Sequence, residues 1–135
     1  MQTILLVEDE FFIRDLYHLV LSKQGYHVVD ARDGLEGVEL ALEVKPDLIL
    51  LDIMMPRLNG IEALEKLVAN PMTKHIPVVL CTNLGQGSII KNALRKGARG
   101  YLMKVQFSPY EIVQQVKTFL ENPAHTTDMN SLDLE

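Results

Sequence analysis

Five residues of this chain have side chains suited to ion or group-transfer chemistry, and each closes a short apolar run. Glu8 and Asp9 follow Ile4-Leu5-Leu6-Val7, Asp52 follows Leu48-Ile49-Leu50-Leu51, Thr82 follows Val78-Val79-Leu80-Cys81, and Lys104 follows Gly100-Tyr101-Leu102-Met103. If the runs are parallel strands, three carboxylates, a hydroxyl and an ammonium share the edge where open α/β sheets form their sites. Two like charges about 4 Å apart repel by about 4 kcal/mol at an effective dielectric of about 20, so three carboxylates there call for a cation. Oxygen donors, few in number and with room for water, suit Mg²⁺ better than zinc. His18, His27, His75 and His125 are scattered and read as non-ligands. Taken singly, each residue has a plainer role. Asp9 is a helix cap, Glu8 a solvated neighbour, Asp52 the start of an Asx turn, Thr82 a β-former and Lys104 a solvated charge. Their shared edge is what favours a joint site.

The elements that must position them read as five βα units. The predicted strands are Thr3–Val7, His27–Ala31, Leu48–Leu51, Val78–Cys81 and Gly100–Met103. The first, third and fourth are apolar almost throughout, as strands covered on both faces must be, while the more mixed second and fifth suit sheet edges. Between them lie helical stripes: Ile13, Leu16, Leu19 and Val20; Leu35, Val38, Ala41 and Leu42; Ile61, Leu64, Leu67 and Val68; Ile90, Ala93 and Leu94; and Ile112, Val113, Val116, Phe119 and Leu120. Ser108-Pro109-Tyr110-Glu111 carries the N-cap serine, first-turn proline and glutamate of a capping box, and Asp33 with Glu36 suggests another. Gly25 and Gly97 stand where a left-handed C-cap favours glycine. Successive βα units imply a parallel sheet, helices on both faces and right-handed crossovers.

The chain has 135 residues, 47% of them apolar and 23% charged, which fits one domain able to fold without disulfides or a structural metal. Residues 1–121 form that domain. Residues 122–135 read as a flexible tail or a truncated linker. The lone Cys81 reads as a buried strand thiol. The apolar stretch after Met1 is too short for a signal peptide or a membrane span, so a soluble, cytoplasmic protein is expected. A net charge of −5 without a long basic run gives no basis for nucleic-acid binding.

Several motifs taken in order resemble the receiver domains of two-component response regulators over about residues 2–121. They are Glu8-Asp9; Leu51-Asp52-Ile53-Met54-Met55-Pro56 with Gly60; Pro77-Val78-Val79-Leu80-Cys81-Thr82; Gly97-Ala98; and Tyr101-Leu102-Met103-Lys104. The resemblance implies an α/β fold, the flavodoxin-like (βα)5 three-layer sandwich with sheet order 2-1-3-4-5. It implies that Asp52 accepts a phosphoryl group from a histidine kinase, a phosphotransfer protein or a small phosphodonor. Mg²⁺ would be bound by Asp9, Asp52 and the Met54 carbonyl, with Glu8 acting directly or through water, while Lys104 neutralises a phosphoryl oxygen. Thr82 and Tyr101 would be the switch residues, and the fourth helix, fifth strand and fifth helix the face that controls an effector protein. The domain is then a signalling switch, a monomer or weak homodimer, that catalyses only its own phosphorylation and dephosphorylation.

Some residues depart from the family pattern. Glu8 stands for the more frequent aspartate, Asn83 for a small residue and Val105 for the proline that usually follows the lysine. If the usual cis bond persisted before Val105 it would cost about 3–4 kcal/mol. Met54 and Leu84 flank the pocket with no group able to orient water, so a long-lived phosphoryl state is expected. Lys91, Arg95, Lys96 and Arg99 suggest a basic readout face. Among rival readings, Gly85-Gln86-Gly87 is too incomplete for a nucleotide loop. Met54 stands where an aspartate-nucleophile phosphatase places its acid. A receiver-like module that only binds proteins is the third alternative.

Overall fold

The computed structural model describes residues 1–83, 87–122 and 124–126. The expectations for Leu84, Gly85 and Gln86, and for most of the tail, lie outside these residues. The strands are β1 (Thr3–Val7), β2 (His27–Ala31), β3 (Leu48–Leu51), β4 (Val78–Thr82) and β5 (Gly100–Met103), and the helices α1 (Phe11–Lys23), α2 (Gly34–Val44), α3 (Gly60–Ala69), α4 (Gly87–Arg95) and α5 (Pro109–Glu121). The strands pair in parallel in the order β2-β1-β3-β4-β5, with the two mixed runs at the edges. β4 runs one residue further than the apolar run suggests, because Thr82 still pairs with Met103.

Side chains alternate across each strand, so one run feeds two cores. Leu5, Val7, Ile49, Leu51 and Leu80 face one core with Ala41 of α2, Leu64 of α3 and Ile90 of α4. Ile4, Leu6, Leu48, Leu50 and Cys81 face the other with Tyr17 and Leu21 of α1 and Ile112 and Phe119 of α5. The three layers follow from this division.

The helix ends are set locally. Ser108 accepts from Glu111 N–H while the Glu111 carboxylate accepts from Ser108 N–H, closing the box foreseen for α5. Asn59 and Glu62 form the same box at α3. At α2 only half forms: Asp33 accepts from Glu36 N–H, but the Glu36 carboxylate turns to Arg32 N–H. Gly25 and Gly97 have φ of +93° and +122°, the left-handed backbone glycine tolerates. The α1 stripe differs from expectation. Leu16 and Leu19 are exposed, and Tyr17 and Leu21 are buried instead.

Candidate functional site

The five chemistry-bearing residues meet at the carboxyl edge of the sheet. They line a cavity of about 520 Å³ together with Met54 and Asn83. Glu8 leaves β1 just after the ladder, its N–H bonded to Ala31 C=O at 3.0 Å, and it is buried. Asp9 is exposed and is not the cap of α1. Glu10 holds that position, with no side-chain cap bond. Asp52 follows β3 and is buried; its Oδ1 accepts from Ile53 N–H at 2.8 Å. Glu8, Asp9 and Asp52 each present a carboxylate oxygen, all within 4.8 Å of one another. That oxygen-only set fits a hard divalent cation.

Lys104, the residue just after β5, binds the cluster. Its Nζ donates to Glu8 Oε1, and to Asp52 Oδ2 at 3.2 Å. Thr82, the last residue of β4, is 1% exposed. Tyr101 lies inward, in the core that contains Ile90 and Ala93. The histidines stay away from the cluster: His18 Nδ1 is 2.8 Å from Asp30 Oδ1, and the His125 ring packs on Phe119 with centroids 4.7 Å apart.

Burial shapes the electrostatics. It pushes the Glu8 carboxyl above its ordinary range, against the opposing hydrogen bond and charge of Lys104. Burial also works to lower Lys104, but its hydrogen bond to Glu8 and the charges of Asp52 and Glu8 outweigh it, so Lys104 holds its proton more tightly than a free lysine. Cys81 lies one residue before Thr82, and burial pushes its thiol up to about 12. Tyr17 packs in the same core as Cys81, and burial likewise pushes its phenol up.

Other contacts set the scaffold of the site, and the sequence reading did not assign them. Arg14 Nη1 donates to Glu8 C=O at 2.9 Å and Asp9 C=O at 3.4 Å, fixing the acidic turn. A Cβ at Gly60 would stand 2.1 Å from Asp52 O, so α3 starts against the Asp52 backbone and only glycine fits. Arg57 adopts φ of +66°, and its Nη1 lies 3.3 Å from Asp33 Oδ2, bracing the β3–α3 loop on the β2–α2 turn. Asn83 Oδ1 accepts from Val105 N–H at 3.1 Å, and no peptide bond among the described residues is cis. Thus Val105 uses the donor a proline would lack. On the expected basic face, Lys96 is paired with Glu65 at 3.0 Å.

The family model described as the response regulator receiver domain matches residues 4–117. The chemotaxis protein CheY of Listeria monocytogenes is 37% identical over 106 residues, covering 77% of this chain and 87% of that protein. The DNA-binding dual master transcriptional regulator RpaA of Synechocystis is 37% identical over 120 residues, 89% of this chain, which thereby spans 49% of RpaA. The response regulator domain of Thermotoga maritima CheB superposes with a TM-score of 0.77 at 33% identity, over 90% of this chain and 94% of that one. No helix among the described residues is long and apolar enough to cross a membrane.

Proposed function

The chain belongs to the response regulator receiver domain family, and on that premise we propose that it is a phosphoaccepting switch of a two-component phosphorelay with Asp52 as the acceptor. The observation that carries this reading is the buried Asp52 carboxylate, with Lys104 Nζ at 3.2 Å and oxygens of Glu8 and Asp9 within 4.8 Å. Asp52 attacks the phosphorus of a phosphohistidine on a histidine kinase or phosphotransfer protein. The O–P bond forms as the N–P bond breaks, and the imidazole nitrogen leaves with the electron pair.

Lys104 and Thr82 do the chain's own electrostatic work. The ammonium takes one phosphoryl oxygen and the hydroxyl donates to another. Glu8, Asp9, Asp52 and the Met54 carbonyl would hold Mg²⁺, which when bound supplies neutralisation of the charge on the transferred group. The chemistry is confined to phosphorylation and dephosphorylation of the domain itself.

A phosphoryl group shifts the switch only through contacts it makes better in one state. Its contacts with Thr82 and Lys104 meet that condition. The Thr82 loop and the Tyr101 ring carry the change to the α4–β5–α5 face, which controls a partner protein. Residues 1–121 form the switch, and 122–135 serve as tail or linker. The protein works as a monomer or weak homodimer.

The test is incubation with a small acyl phosphate and Mg²⁺. A covalent phosphoryl adduct is expected in the wild type and absent in Asp52→Asn. Wild type without an adduct leaves the alternative, a module that only binds proteins.

A further inference from the structure

Lys104 is the last link in the site, and its own anchorage is slight. It opens a 3-10 turn, Lys104–Gln106, whose N-cap is Met103. Methionine offers no cap to the first amides of a turn, which need acceptors from elsewhere. Val105 and Gln106 are exposed, so packing does little to hold the turn. The turn is closed by a long bond, Phe107 N–H to Lys104 C=O at 3.4 Å. A lysine side chain has four flexible methylenes, so where its ammonium rests depends on where the backbone starts it.

The missing cap comes from another loop. Asn83 Oδ1 accepts from Val105 N–H at 3.1 Å, across 22 positions of sequence. Asn83 is the residue after Thr82, where β4 and β5 make their last pairing, Thr82 with Met103. Its side chain therefore ties the two loops together just past the point where the strands part. The tie holds the backbone from which Lys104 reaches Glu8 and Asp52.

We propose that Asn83 is a positioning residue: its side-chain carbonyl clamps the turn that carries Lys104 and so sets the ammonium over the acceptor. This rests on the phosphoacceptor reading for its purpose, but the clamp itself is visible without phosphate. The experiment is NMR on the full chain as wild type, Asn83→Ala and Asn83→Asp, with acyl-phosphate labelling alongside. Asn83→Ala is expected to speed Val105 amide exchange about fivefold, as loss of one net hydrogen bond implies. It also shifts or broadens the Lys104 Nζ resonance and slows labelling. Asn83→Asp keeps an acceptor oxygen and restores Val105 protection and the Lys104 signal. A Lys104 resonance unmoved by Asn83→Ala, or unaltered Val105 exchange, overturns the proposal whatever the labelling rate does. A wild type that takes no label, with Asn83→Ala still producing both NMR changes, would sink the phosphoacceptor reading and leave the clamp standing.

Discussion

Lys104 Nζ and Asp52 Oδ2 lie 3.2 Å apart, and the same ammonium donates to Glu8 Oε1. One half-buried residue thus sets its ammonium against two buried carboxylates. Replacing it leaves both without their partner, and breaking a buried pair costs about 3 kcal/mol or more. Lys104→Met is therefore expected to lower the urea midpoint of the metal-free protein. Added Mg²⁺ should recover part of the loss, since a ligand that binds only the native state stabilises it. A midpoint equal to wild type in EDTA would show that the pair contributes nothing.

Acid has a definite sign at Glu8. Burial raises its pKa above the ordinary 4.5, so between that value and the folded one the native state binds more protons than the unfolded state. The Glu8 contribution to stability without metal thus falls as pH rises through this window, and Glu8→Gln abolishes that slope. Mg²⁺ requires the ionised form, so its affinity falls as pH drops through the same window. Lys104 acts at the other end: raised above 10.5, its contribution is complete below that value and is lost as pH rises through the folded value. Unfolding curves of wild type and Glu8→Gln across pH, with and without Mg²⁺, check both signs.

Two glycines should respond differently to alanine. At Gly60 the new Cβ meets Asp52 O at 2.1 Å, so the start of α3 must move and Asp52 with it. A loss of about 2 kcal/mol or more is expected, with impaired phosphoryl uptake. At Gly25 nothing lies within 4 Å and only the φ of +93° is strained. There a loss of about 1 kcal/mol with normal uptake is expected. Thermal melts and labelling of the two variants side by side decide it; equal behaviour would refute the contact argument at Gly60.

Met54 is 65% exposed at the rim of the cavity. Its thioether gives an attacking water no strong hydrogen bond. A long-lived aspartyl phosphate is expected, and Met54→Asn should shorten its lifetime about tenfold by orienting water. Loss of label from the purified phosphoprotein measures this. Identical decay in the two proteins would remove Met54 from the hydrolytic step.

Cys81 should be inert in the folded protein. At 3% exposure, with its thiol pushed up to about 12, it lacks both access and thiolate. Alkylation at neutral pH should proceed in urea and stall in buffer. Prompt native-state labelling would place the β4 core in an open form.

How much of this was legible in the sequence depends on the range of each interaction. Strands and caps are local, so the apolar runs and Ser108-Pro109-Tyr110-Glu111 read directly. The α1 stripe misled because hydropathy ranks Leu16 and Leu19 above Tyr17, whereas the helix turns Tyr17 and Leu21 to the core. The site residues were found by their position after each run, which the topology brings to one edge. Their mutual contacts were not legible: Lys104 meets Glu8 across 96 positions, and Asn83 meets Val105 across 22. The sequence flagged Asn83 and Val105 as separate oddities; the fold joins them in one hydrogen bond.

The brace between Arg57 and Asp33 has a wider meaning. It anchors the far end of a loop whose near end is the buried Asp52, leaving Met54 exposed between two fixed points. On the proposed phosphoacceptor reading, substitution there is expected to alter how long a signal persists without rebuilding the residues that receive it. On that reading, descendants of this chain could be retuned as timers, one exposed side chain at a time, while inheriting the same input chemistry.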